Sequence, residues 1–182
     1  MMRWMGRFYL FLLVAGLAGA RLGFAADPIA EQFQKQWEAT RNQITLIAEA
    51  VPEDKYDYRP TPEVRNFREL LQHFADENYF FMATAAGAER AKDRRQIEAL
   101  KTRTELLAAL KESYEWGAKI LAGWNDQKAM EMVAFQGQQV PRFAVLIAHF
   151  KDNHEHYGNM VTYARLNGIV PPRTAARQQQ QR

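Results

Sequence analysis

Four stretches of the chain carry apolar side chains every three or four residues, which is the period of an amphipathic α-helix. These stretches run over about 28–50, 66–87, 102–123 and 142–167. No stretch shows the strict apolar and polar alternation that indicates a half-buried β-strand. Helices of this length and number predict an all-α protein, a four-helix bundle.

Residues suited to helix ends mark the limits of these stretches. Three of the four begin with N-cap signals, which are Asp27-Pro28, Asn66 with Glu69, and Thr102 with Glu105. Gly87, Gly123 and Gly168 mark the predicted ends of the last three stretches, as is common after helices. The charged run 89–95 reads as a solvated loop, and 124–141 as a connection that Gly137 and Pro141 interrupt. Large aromatic residues at helical spacing are expected in the core: Trp37, Phe67, Phe74 and Tyr163.

Charge and cysteine content exclude several classes of protein. The chain has 24 Lys and Arg against 21 Asp and Glu, and no Cys. Six of the basic residues lie in 1–26 and 173–182, which hold no acid, so 27–172 carries 18 basic against 21 acidic residues, a net charge of −3. An acidic body repels nucleic acid at long range. Without Cys, disulfides and thiolate metal sites are excluded, and any metal must be held by nitrogen and oxygen.

The N-terminus has the three parts of a secretory signal peptide. Arg3 and Arg7 precede an apolar run, 8–20, and small residues follow, so that cleavage after Ala25 or Ala20 is expected. The alternative is an uncleaved anchor, but the run is shorter than the ~20 apolar residues of a spanning helix. We therefore expect residues 1–26 to be removed on export to the periplasm or medium, 27–172 to form the bundle, and 173–182 to be a disordered basic tail.

Three of the four histidines lie close together in the predicted fourth helix, at His149, His154 and His156. Residues three, four and seven positions apart share a helix face. Asp152 and His156 therefore point the same way, His149 lies on the same stripe, and His154 points elsewhere, toward solvent.

The remaining histidine, His73, lies in the predicted second helix and shares a face with Glu77. Each of two helices thus presents an imidazole with a carboxylate toward the interior. Ligands from facing helices can meet on a divalent ion inside a bundle, and such a donor set suits zinc or nickel, and also iron or manganese. The alternative is structural, because histidines with a carboxylate one turn away are common on helices, and Asp152 with His156 would then be a surface pair.

Two longer segments resemble a known family. VPEDKYDYRPTPEVRNFRELLQHFADENYF, at 51–80, closely resembles the first signature of the DinB/YfiT-like metalloenzyme superfamily, and HEHYGNMVTYARLNGIVPP, at 154–172, resembles the second. The likeness extends over about 28–172. It implies a four-helix bundle with a metal held by three ligands, usually histidines, of which two form an H-x-x-x-H pair on the last helix.

Carried over residue by residue, the resemblance places the first ligand on His73 and the last on His156. The middle ligand falls on Asp152, where the family usually has histidine. Aspartate is a competent ligand, so a site with two histidines and one aspartate is expected. The alternatives are recruitment of His149 or His154 as a substitute ligand, or loss of the metal.

The resemblance implies a metal-dependent enzyme of the transferase or hydrolase type, in which Glu77 would be a catalytic base or would orient a ligand. Its partner would be a small-molecule substrate, with no nucleic acid and, after cleavage, no membrane. A homodimer is the expected alternative to a monomer. Two other functions stay open: a non-catalytic metal- or ligand-binding bundle of the cell envelope, and a structural module held at the membrane by an uncleaved N-terminus.

Overall fold

The computed structural model describes residues 27–182, and the expected signal peptide lies outside this range. The described residues form seven α-helices, one β-hairpin and a short 3-10 turn at Glu53–Lys55. The elements in chain order are α1 (Pro28–Ala50), α2 (Phe67–Ala86), α3 (Arg94–Glu98), α4 (Arg103–Ala122), α5 (Asp126–Met130), β1 (Met132–Phe135), β2 (Gln138–Pro141), α6 (Arg142–Leu166) and α7 (Pro172–Gln180).

The four long helices, α1, α2, α4 and α6, form the bundle that the sequence predicts. Helix α2 packs against both α4 and α6, and α1 packs against the same two helices. Trp37, Phe67, Phe74 and Tyr163 are buried as expected. Burial of such large side chains is the main contribution to the stability of the bundle.

Two of the predicted N-caps form as expected. Asn66 and Glu69 cap α2 reciprocally, with each backbone N–H donating to the other side chain at 2.8 Å. Thr102 and Glu105 form the same capping box at α4. Asp27 acts differently, because its side chain does not cap α1. It accepts instead from the backbone N–H of Asp126 at 3.0 Å, and thus ties the start of α1 to α5.

The connection before α6 is more regular than the sequence indicates. Strands β1 and β2 pair antiparallel through a two-residue turn at Gln136 and Gly137, whose φ angles are 49° and 77°. Positive φ at both positions is the geometry of a tight hairpin turn. Each strand has four residues; burial alternates along β1 over these four positions only, and β2 shows no alternation. The expectation of no strand was therefore wrong for a hairpin too short to leave a periodic pattern.

Two segments expected to be irregular are helical. Helix α3 begins within the charged run, where Asp93 and Gln96 form a capping box and Ile97 is buried. The expected disordered tail, 173–182, contains all of α7 except its first residue, Pro172, and proline favours the start of a helix. Arg173 of this helix donates to the Gln43 side chain at 2.7 Å and so attaches it to α1.

No helix within 27–182 has the length and apolar character needed to cross a membrane.

Candidate metal centre

Helices α2 and α6 bring two imidazoles and two carboxylates together inside the bundle. The Nε2 atoms of His73 and His156 lie 2.9 Å apart. Glu77 Oε1 is 3.0 Å from His73 Nε2. Asp152 Oδ2 is 3.5 Å from His156 Nε2 and 3.7 Å from His73 Nε2. All four residues therefore form one cluster that can hold a metal ion.

The donor spacing fits a single divalent ion. Nitrogen and oxygen ligands placed 2.0–2.2 Å from one ion lie about 3.0–3.5 Å from one another. Glu77 Oε2 and Asp152 Oδ2 are buried and have no hydrogen-bond partner in the described residues. Buried polar atoms without partners are rare because leaving them so is costly. The predicted ligands His73, Asp152 and His156 thus converge, and Glu77 adds a fourth donor.

Burial sets the protonation of this cluster. It lowers the pKa of His73 to about 4, helped by the positive charge of Arg65, and it lowers the pKa of His156 as well. It raises the pKa of Glu77, and together with Glu77 it raises the pKa of Asp152 to about 7. At neutral pH both imidazoles are therefore neutral, which is the form that ligates metal.

Local anchors set the rotation and register of α6 against α2. The Arg142 guanidinium, at the start of α6, donates twice to Glu131 Oε2, at 3.0 and 2.9 Å. It also donates to the carbonyl of Ala85 near the end of α2. Farther along α6, the fully buried Asn153 accepts a hydrogen bond from the Tyr114 hydroxyl at 2.9 Å. These bonds turn the neighbouring Asp152 toward His73.

His149 does not join the cluster, which corrects its expected role as a substitute ligand. Its ring is fully buried, stacks on Trp37 with centroids 4.9 Å apart, and its Nε2 lies 2.8 Å from Asn78 Oδ1. Seven residues along a helix are about 10 Å, so His149 shares the stripe of His156 but lies too far along the axis to share an ion. His154, the other alternative ligand, is exposed as predicted.

A cleft of 330 Å³ opens beside the cluster, at His73. It lies between the start of α2 and helix α3. Its remaining lining is polar or charged: Arg65, Glu69, Gln72, Asp76, Arg94 and Glu98. The sequence does not predict that these residues line one cleft, because the charged run 89–95 indicates a loop and the approach of α3 to α2 is a tertiary contact.

Fold and cluster together define a class of protein, namely a helical bundle that carries a metal-competent group of imidazoles and carboxylates between two long helices. The chain belongs to the DinB superfamily, whose sequence model matches residues 36–160.

Solved structures with this fold are known. A DinB-like protein from Bacillus cereus ATCC 10987 is 13% identical and has a TM-score of 0.69, with 78% of this chain and 95% of that chain covered. A DinB-like protein from Bacillus subtilis is 22% identical and has a TM-score of 0.63, with 76% and 94% covered. At these identities the likeness concerns the fold. A search of curated proteins found no match.

Proposed function

We propose that this protein is a divalent-metal-dependent enzyme of the transferase or hydrolase type, with His73, Asp152 and His156 as the metal ligands. The observation that supports the proposal most strongly is the 2.9 Å approach of the His73 and His156 Nε2 atoms, with the Asp152 carboxylate beside both. When bound, a divalent ion would supply Lewis acidity toward a carbonyl, phosphoryl, thiol or water.

Glu77 is the residue best suited to move a proton in this site. Burial raises the pKa of its carboxyl group above the ordinary value for glutamate, and a carboxylate with a raised pKa is a stronger general base. Its Oε1 is 3.0 Å from His73 Nε2, while its buried Oε2 has no hydrogen-bond partner among residues 27–182. The adjoining cleft has the size of a small-molecule site. We therefore assign Glu77 the role of general base toward a small molecule bound in the cleft.

A second candidate function rests on the same residue. Glu77 is the fourth member of the donor group, and four protein ligands close a tetrahedral site, as in structural zinc centres. If Glu77 ligates the ion, the protein would be a non-catalytic metal-binding bundle.

The variant Glu77→Gln separates the two functions. If Glu77 is a base, we expect one metal per chain to be retained while kcat falls about 100- to 10,000-fold, the usual contribution of a general base. Metal content would be measured by mass spectrometry. Activity would be measured with p-nitrophenyl acetate and p-nitrophenyl phosphate, and as glutathione transfer to 1-chloro-2,4-dinitrobenzene.

Glu155→Gln is the matched control, because Glu155 is an exposed carboxylate on α6 outside the cluster. Both metal content and activity should stay at the wild-type level in this variant. Loss of metal from Glu77→Gln would instead identify Glu77 as a ligand and favour the non-catalytic function.

We also propose that the mature protein acts outside the cytosol, on the basis of the N-terminal sequence. Expressed with its own N-terminus in a bacterium with two membranes, the chain should be recovered from the periplasm beginning at Ala26 or Arg21. Intact-mass measurement of the periplasmic fraction tests this. A full-length chain in the membrane fraction would favour the anchor. The net negative charge of 27–172 supports a small-molecule partner over nucleic acid, and a homodimer stays a prediction.

A further inference from the structure

The charges that line the cleft beside His73 are not evenly paired. Every carboxylate of the lining has a guanidinium partner: Glu69 with Arg59 at 3.0 Å, Asp76 with Arg90 at 2.9 Å, and Glu98 with Arg94 at 2.7 Å. The fifth charged side chain of the lining, Arg65, is the exception. Within 27–182 its guanidinium forms no ion pair and no side-chain hydrogen bond, although it lines the same cleft as His73.

The backbone around Arg65 is fixed even though its side chain is exposed. Arg65 directly precedes Asn66, the N-cap of α2, and its carbonyl accepts a hydrogen bond from the Tyr163 hydroxyl at 3.0 Å. The next residue, Phe67, is buried in the core. The guanidinium is therefore presented at the cleft from a rigid backbone position, and no side chain of the described residues pairs with it.

With a divalent ion bound, the metal cluster would carry no net charge, so Arg65 would be the main positive charge that attracts an anion to the cleft. Two carboxylates, those of Glu77 and Asp152, would neutralise a divalent ion held with His73 and His156. A guanidinium binds carboxylate and phosphate groups through two parallel hydrogen bonds, which also orient the bound group. The cleft volume of 330 Å³ admits a small molecule alongside this contact.

We propose that the cleft binds small molecules that carry an oxyanion group, carboxylate or phosphate, and that Arg65 holds this group while the rest of the molecule lies toward His73. The inference rests on the proposed function, since it names the substrate class of the same site. Arg65 acts in it as a binding residue that selects charge and orients the molecule, and the metal cluster is not needed for the anion contact itself.

The test compares matched probes on the Zn²⁺-loaded mature chain. Benzoate and phenylphosphonate carry the two oxyanion groups, and benzamide is a neutral analogue of benzoate. Isothermal titration calorimetry should show both anions binding at least about tenfold more tightly than benzamide, because hydrogen bonds to charged groups are the strong ones. The tighter of the two anions identifies the preferred group.

Arg65→Gln should weaken anion binding about 10- to 100-fold, the range expected for loss of a charge-assisted hydrogen bond, with benzamide binding and metal content unchanged. Arg95→Gln is the control, because it removes the same charge from an exposed arginine of α3 that does not line the cleft. It should leave anion affinity within about twofold of wild type, because solvent and salt screen an exposed charge that does not contact the bound group.

Equal binding of anions and benzamide by the wild-type chain, or equal loss in both variants, would overturn the proposal. If Zn²⁺ does not bind, the proposed metal-dependent function fails, but the same titration on the metal-free chain still tests the anion site. Anion selection that depends on Arg65 in the metal-free chain would support the anion site, and the lack of such selection would refute it. Anion binding that requires Zn²⁺ but not Arg65 would also refute it, since the anion would then be ligating the ion.

Discussion

The variant His156→Ala should lose stoichiometric divalent metal. His156 provides one of the two imidazole nitrogens that approach within 2.9 Å, and Asp152 reaches the cluster from the same helix one turn away. Mutating an outer residue that merely supports a ligand already weakens metal affinity 10- to 100-fold, so loss of a ligand should weaken it by more than about 100-fold. Mass spectrometry of the purified protein and a competition titration with a chromogenic chelator would measure both quantities.

His154→Ala is the matched control, because His154 lies on the same helix but is exposed and outside the cluster. This variant should retain one metal per chain. A metal concentration 100-fold above the dissociation constant stabilises the folded state by about 2.7 kcal/mol, which raises Tm by roughly 5–10 °C in a chain of this size. Wild type and His154→Ala should show this rise, and His156→Ala should not. Full metal content in His156→Ala would remove the basis of the proposed function.

The sequence predicts most of the fold because the signals for the long helices are local. A capping box such as Asn66 with Glu69 satisfies backbone groups within one turn, so it acts wherever the surrounding chain is helical. Two of the elements that the sequence did not predict, α7 and the hairpin, are stabilised by contacts distant in the chain. Arg173 reaches Gln43 across 130 residues to attach α7, and the hairpin packs against α2 and α6.

The candidate site was also predicted only in part. Spacing predicts that Asp152 shares a helix face with His156, and that His73 shares one with Glu77. The family resemblance then joins His73, Asp152 and His156 as one set of ligands. Spacing alone also placed His149 on the face of His156, although seven residues along a helix already separate the two by about 10 Å. Spacing does not show that the His149 ring stacks on Trp37 and bonds Asn78. The position of Arg65 at the cleft was not predicted either. A single arginine before a helix carries no sequence pattern of its own, and the cleft forms only where α3 approaches α2.

The core around Trp37 connects three helices beside the candidate site. The indole Nε1 of Trp37 donates to the carbonyl of Tyr114 at 3.0 Å, and its ring contacts the rings of Tyr114 and His149. Tyr114 in turn bonds Asn153, next to Asp152. The position of the indole on α1 is thus coupled to the rotation of α6 that sets the candidate ligands.

Gly117→Ala should therefore destabilise the protein strongly, although alanine is the better helix former. A Cβ atom on Gly117 would lie 2.1 Å from Cζ2 of Trp37, far inside van der Waals contact, and the hydrogen bond to Tyr114 and the two ring contacts keep the indole from moving aside. Overpacking of a core costs about 1–3 kcal/mol or more, and a lost buried hydrogen bond adds about 1 kcal/mol. The helix-propensity gain of about 1 kcal/mol offsets only part of this.

We expect a net loss of about 1–3 kcal/mol in the free energy of unfolding, which corresponds to a fall in Tm of roughly 2–12 °C. Gly158→Ala supplies the control, because Gly158 lies inside α6 and a Cβ there meets nothing within 4 Å. That substitution should raise stability by about 0.5–1 kcal/mol through helix propensity and loss of unfolded-state freedom. Urea denaturation of both variants measures the difference. Equal stability of Gly117→Ala and Gly158→Ala would mean that the indole has room to move. The position of Trp37 on α1 would then not be tightly coupled, through Tyr114, to the rotation of α6.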